Sequence, residues 1–245
     1  MKRRCLAVHW LLSLLVLSAP LAAQDVELEL VLLADASGSI DPAEIEFQRI
    51  GYAEAITDQR VIRAIQETAY GRIAVTYVEW ASAGEEDIVV PWRIIEDAKS
   101  ARDFADALIP PPRRAFGRNS IGSALLKGTE LIQNNEYDGW RKVIDFSGDS
   151  ANNWNGPSIA EGRATALAAG ITINGLPILC RFCSGRPGNA DLETLYEERI
   201  IGGVGAFVVT ADSVESLSDA VRRKLILEIS GEMPDETYAD VSPSK

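Results

Sequence analysis

The sequence predicts an α/β fold: a mostly parallel sheet covered by helices on both faces, with one short antiparallel strand at an edge. Three observations carry that prediction. Apolar runs of strand length alternate with segments of helical period along most of the chain. The first run, Val26–Ala34 (VELELVLLA), passes from alternation into unbroken apolar residues, as a strand buried on both faces does. Asp87–Trp92 contains Pro91, which lacks the N–H that a central strand needs and so belongs at a sheet edge.

After the first strand, Asp41, Pro42 and Glu44 form a capped helix start, and helical spacing continues through Phe47, Ile50 and Ala53. Arg72–Trp80 (RIAVTYVEW) is rich in β-branched and aromatic residues and reads as a strand. Ser100–Leu108 is helical and is stopped by Pro110, Pro111 and Pro112. Ser120–Gln133 is a helix entered from Gly117-Arg118-Asn119. Lys142–Phe146 (KVIDF) is a strand that delivers Ser147-Gly148-Asp149 at its C-terminal end. Ser158–Ala169 is a helix closed by Gly170, and Ile171–Ile178 is the next strand. Asp191–Ile200 is helical, Ala206–Thr210 is expected as the last strand and Val214–Ile229 as the last helix.

The chain has 245 residues, 47% hydrophobic and 24% charged, enough for one domain with its own core. Residues 1–23 stand apart. A basic start at Lys2, Arg3 and Arg4 precedes a mostly apolar run from Leu6 to Leu17, and small residues at Ala19, Ala22 and Ala23 follow. That is the layout of a cleavable secretory signal peptide, with an uncleaved membrane anchor as the alternative. The expected organisation is a signal peptide at 1–23, one domain at 24–230 and a flexible tail at 231–245. No later run is apolar enough to span a membrane, so no membrane anchor is expected in the mature chain.

Removing the signal changes the available chemistry. The only histidine, His9, leaves with it, which excludes Ser-His-Asp and Cys-His catalysis and imidazole-ligated zinc. Lys2, Arg3 and Arg4 leave too, taking the formal charge from −12 to about −15. Such a surface repels phosphates, so no nucleic-acid partner is expected.

Three loops rich in oxygen donors fall at strand ends or helix entrances. In Asp35-Ala36-Ser37-Gly38-Ser39, alternate positions of an extended loop project one carboxylate and two hydroxyls to the same side. Gly117-Arg118-Asn119-Ser120 and Gly148-Asp149-Ser150 are the other two. Hard oxygen donors favour a divalent cation such as Mg²⁺, with Mn²⁺ or Ca²⁺ as alternatives. Against this stands the plainer reading that Asp35 starts a turn while Ser37 and Ser39 cap the next helix. Asp145, inside its strand, reads as a structural carboxylate. Asn152 and Asn153 read as turn formers or as the rim of the site.

Asp-x-Ser-x-Ser after the first strand resembles the metal-ion-dependent adhesion site of von Willebrand factor type A (VWA) domains. That family's later loop, Gly-x-Thr-x-x-Gly-x-Ala-Leu, is matched by Gly117–Leu125 (GRNSIGSAL), with Asn119 where the Thr is expected. Asp149 matches the family's distal Asp, although Thr-Asp-Gly becomes Gly148-Asp149-Ser150. The segment Ser147–Asn153 and the stretch from Leu195 through GGVGAFV to the RRKL helix resemble a bacterial group of exported VWA-like proteins of unknown function. The resemblance implies a Rossmann-like three-layer sandwich and a metal set of Asp35, Ser37, Ser39, Asn119 or Ser120, and Asp149. It also implies engagement of a protein partner whose acidic side chain completes the metal shell. A metal-dependent hydrolase and a degenerate domain that binds without metal are the rival readings.

Cys180 and Cys183 remain after the signal is removed. In an exported chain a local disulfide is the expected state, with redox chemistry at the CxxC spacing as the alternative. Gly202-Gly203-Val204-Gly205 precedes a strand instead of opening a helix after one, so a turn is expected, not a phosphate loop. Trp92, Trp140 and Trp154 are candidates for exposed aromatic contacts near the loops, or for ordinary packing.

Overall fold

A computed structural model of the chain describes residues 23–179, 191–212 and 217–232. Five strands form one sheet: β1 (Gln24–Asp35), β2 (Ile73–Trp80), β3 (Glu86–Ile95), β4 (Tyr137–Gly148) and β5 (Thr172–Pro177). Their order is β3-β2-β1-β4-β5, and every pair is parallel except β2 with β3. The α/β class and the antiparallel edge strand are therefore as expected. Pro91 sits in that edge strand, and the pairing slips register opposite Thr76, whose hydroxyl instead donates to the Val90 carbonyl at 2.8 Å.

Seven helices accompany the strands in the described residues: α1 (Pro42–Thr57), α2 (Gln59–Gln66), α3 (Ala98–Leu108), α4 (Ile121–Gln133), α5 (Ile159–Ala168), α6 (Leu192–Arg199) and α7 (Leu217–Ser230). Alternation along β1 sorts them into two layers. Leu28, Leu30, Leu32 and Ala34 join a core with residues of α1, α2, α3 and α7, while Val31 and Leu33 join one with α4, α5 and α6. From Leu30 to Ala34 β1 is buried on both faces, and there its sequence is an unbroken apolar run.

The chain places β2 on one side of β1 and β4 on the other. The strand order thus reverses between β1 and β4, and a crevice opens outside their carboxyl ends, the position where open α/β sheets bind ligands. Asp35 closes β1 and Gly148 closes β4, so the reversal puts the Asp35 loop beside Asp149.

Two expectations need correction. Ala206–Thr210 is not a strand but leans on β5 through isolated bridges, Gly175 with Val208 and Ile178 with Ala211. The Asn174 side chain takes the Phe207 N–H at 3.1 Å, which diverts one rung of the ladder. The helix expected through Ala53 runs on to Thr57, and α2 follows it, capped by Asp58, whose carboxylate accepts the Arg60 N–H at 2.8 Å. Residues 1–22, Cys180, Cys183 and 233–245 lie outside the described residues, and with them the segments expected as signal peptide, local disulfide and most of the tail. Among the described residues no helix is long and apolar enough to cross a membrane.

Candidate metal centre

Asp35 is fully buried at the end of β1. One of its carboxylate oxygens, Oδ1, accepts the Ser37 N–H at 2.7 Å, which turns the chain sharply out of the sheet. Its other oxygen, Oδ2, is buried with no hydrogen-bond partner. Ser37 and Ser39 stand with their hydroxyls 3.2 Å apart, and the Ser39 hydroxyl donates to Asp149 Oδ1 at 3.3 Å. The structure thus gathers Asp35, Ser37, Ser39 and Asp149 at one point. Neither serine caps α1. That place is taken by Asp41, which accepts the Ala43 and Glu44 N–H groups, while Glu44 accepts the Asp41 N–H in return.

Burial raises the Asp35 pKa to about 7, and the neighbouring charge of Asp149 pushes the same way; hydrogen bonds from Ser37 and from the Asp149 backbone oppose both. A cation placed between the two carboxylates would remove that penalty. Glu44 is raised as well, by burial first and then by the charges of Asp41 and Asp149.

The 117–120 loop is tied to the Asp35 loop where the Gly38 N–H donates to the Gly117 carbonyl at 2.7 Å. Gly117 holds φ at +106°, and a Cβ there would fall 2.2 Å from the Ser82 hydroxyl, so glycine is required at this crossing. Asn119 is buried, its carbonyl accepts the Trp154 N–H at 2.8 Å, and its Nδ2 has no hydrogen-bond partner. The Ser120 hydroxyl is turned away, donating to the Asn155 carbonyl at 2.8 Å. Asn153 is no rim residue. Its Oδ1 accepts the Gly122 N–H at 3.1 Å and caps α4 from another loop, where Ser120 supplies no side-chain cap.

Other expected features fall elsewhere. Asp145 is buried against Lys224 of α7 at 2.8 Å and belongs to the core. Trp140 is exposed and lies in β4 well before its site-bearing end, and Trp92 packs near Tyr137. Of the three tryptophans, only Trp154 lies beside the site.

Arg113 is a contributor that no sequence signal marks. Its guanidinium donates to the carbonyls of Ala36, Ser37 (3.1 Å) and Ile40 (2.9 Å), and so braces the Asp35 loop from behind. Nothing in PPRRAF marks one arginine for that task, because its acceptors are main-chain oxygens more than seventy residues away in sequence.

The arrangement suits a hard cation. Two carboxylates, two hydroxyls and a nearby buried amide supply oxygen and neither nitrogen nor sulfur. Among the described residues no three His, Cys, Asp or Glu side chains converge as a metal-holding group, so a cation here would rely on the serines and on water.

Solved structures share the fold. Proximal thread matrix protein 1 from the mussel byssus, solved with a zinc-occupied MIDAS motif, is 17% identical with a TM-score of 0.61 over 85% of this chain and 49% of its own. The pilus adhesin SpaC from Lactobacillus rhamnosus GG is 14% identical with a TM-score of 0.59 over 83% of this chain and 30% of its own. The vWF domain of the type V pili tip protein Mfa5 from Porphyromonas gingivalis is 10% identical with a TM-score of 0.55 over 86% of this chain and 98% of its own. The chain therefore spans less than half the length of the first two. No curated protein matches it. The likenesses establish a VWA fold. With a family model matching residues 25–233, the chain belongs to the family described as protein of unknown function (DUF1194).

Proposed function

We propose that this chain is an exported binding domain that holds a divalent cation through Asp35, Ser37, Ser39, Asp149 and Asn119, and engages an acidic group of a protein partner there. The observation that carries the reading is the fully buried Asp35 carboxylate, with one oxygen partnerless and Asp149 beside it. In its charged form such a group is costly unless a cation faces it, and without one it holds its proton up to about pH 7. Asn119 is taken as the further donor, through its side-chain carbonyl oxygen, because the Ser120 hydroxyl is engaged with the Asn155 carbonyl. Mg²⁺ suits the donor set best, with Mn²⁺ or Ca²⁺ as alternatives.

A bound cation supplies a positive point with coordination positions left for a partner's carboxylate. The chain's own residues do the rest. Asp35 and Asp149 provide charge, Ser37 and Ser39 fill the space between them, and Arg113 fixes the loop's curvature. Two carboxylates are fewer than a two-metal hydrolase uses, so the site reads as binding, not catalysis. Export follows from the leader-like residues 1–23 and accords with the pilus and matrix proteins that share the fold.

Arg113→Ala is expected to weaken Mg²⁺ binding about tenfold, the equivalent of ~1.4 kcal/mol, as measured by titration calorimetry. Unchanged affinity would show that Arg113 does not brace the site. Partner engagement is tested by capture from cell-envelope extract on the immobilised protein in Mg²⁺ and in EDTA, with Asp35→Ala as a second bait. A partner retained only by the wild type in Mg²⁺ supports the reading, and equal capture in EDTA contradicts it.

A further inference from the structure

The segment Arg113-Arg114-Ala115-Phe116-Gly117-Arg118 sets three arginines within six residues of a chain whose net charge is −12. It runs past the candidate metal centre, with Arg113 behind the Asp35 loop and Gly117 bonded to Gly38 in front. Two large aromatic side chains stand exposed on it and beside it, Phe116 at 53% and Trp154 at 58%. Each carries a guanidinium over its ring: Arg113 lies 5.0 Å from the Phe116 centroid and Arg118 lies 4.3 Å from that of Trp154. The Trp154 backbone is pinned to Asn119, so this pair is held against the site. Arg114 meets Asp87 only at 3.8 Å, and Arg118 enters none of the ion pairs among the described residues.

Exposed aromatics stacked with arginine lose little entropy on binding and are the residue types that dominate interface energetics. On a chain of net negative charge, a basic island is also a place where an acidic partner is steered in and not repelled.

From this juxtaposition we propose that the 113–118 segment with Trp154 is the specificity surface for the partner. The partner is an acidic protein segment that carries an aromatic or aliphatic side chain next to its carboxylates. One carboxylate addresses the metal centre, a second faces Arg118, and the apolar side chain lies against Trp154 and Phe116. This rests on the proposed metal-binding reading and adds to it what the partner must look like.

The test is fluorescence anisotropy of the purified chain with three labelled short peptides. One carries Glu and Asp around Leu and Tyr, one has Gln and Asn in place of the acids, and one has Lys. The acidic peptide is expected to bind about tenfold more tightly than the amide peptide, and the preference is expected to shrink with added salt. Arg118→Gln with Trp154→Ser is expected to lose about tenfold for the acidic peptide. Calorimetric Mg²⁺ binding by that double variant stays at the wild-type value, which shows that it folds and keeps its site. If Mg²⁺ proves not to bind at all, the metal reading fails, yet the acidic preference and its loss in the double variant must still appear in EDTA. Equal binding of acidic and amide peptides, undiminished binding by the double variant, or tighter binding of polygalacturonate than of the acidic peptide overturns the proposal.

Discussion

Replacing Lys224 by methionine is expected to cost about 3–5 kcal/mol of stability near neutral pH, read as a lowered urea midpoint. Lys224 is fully buried, with its Nζ 2.8 Å from Asp145 Oδ1 and 2.5 Å from Glu228 Oε1. Asn174 donates to Glu228 at 3.0 Å, Arg141 donates to the Glu228 and Ile229 carbonyls, Tyr52 faces Asp145 from α1, and Phe207 lies under the ammonium. One cation thus serves two buried carboxylates, and removing it leaves both uncompensated. The same cluster sets a pH dependence. Burial raises the Glu228 pKa from its ordinary 4.5 to about 7, despite Lys224 and Asn174, and raises that of Asp145 too. A carboxylate whose folded pKa lies above its unfolded one binds more protons in the folded state, so stability falls as pH rises from about 4.5 to about 7. The wild type is therefore expected to show a higher urea midpoint at about pH 5 than at about pH 8, and the Lys224→Met deficit is expected to shrink at the lower pH. A deficit that grows on acidification would show that the carboxylates are not held in this way.

Arg49→Met is the second large effect. Arg49 and Glu79 form a buried pair at 2.7 Å between α1 and β2, and Arg49 also donates to the Pro111 carbonyl. The substitution strands the Glu79 carboxylate, one oxygen of which already lacks a hydrogen-bond partner, and is expected to cost about 3–5 kcal/mol. Adding Glu79→Leu should return much of that loss, because an apolar replacement of both partners leaves no buried charge behind. The pair also fixes the entry to the 113–118 segment. Arg49→Met is therefore expected to loosen that segment, read as faster amide exchange at Phe116 and Arg118. A double variant no more stable than the single one would contradict the assignment.

What the sequence discloses is what depends on near neighbours. The unbroken end of Val26–Ala34, from Leu30 onward, announces a central strand because burial on both faces leaves no room there for polar alternation, and Pro91 announces an edge because it has no N–H to give. Asp35, Ser37, Ser39 and Asp149 were legible as a group because alternate positions of one loop project to the same side and each loop directly follows an apolar strand. What long-range contacts decide was hidden. Arg113 reads as one surface arginine among several, and only the folded chain brings it to three carbonyls of another loop. Nothing in the sequence around Lys224 sets it apart, yet it is fully buried. Ala206–Thr210 has strand composition, but the Asn174 side chain competes for its backbone. Asn119 and Ser120 were interchangeable as donors until the 155–156 loop claimed the Ser120 hydroxyl.

Whether the Asp35 loop holds a divalent cation is decided by calorimetric titration of Mg²⁺ and Mn²⁺ into the wild type and into Asp35→Ala. A saturable one-site heat is expected for the wild type with both ions, and its loss in Asp35→Ala while the variant still unfolds cooperatively. Equal heats for the two proteins, or no saturable heat for the wild type, would contradict cation binding at this loop.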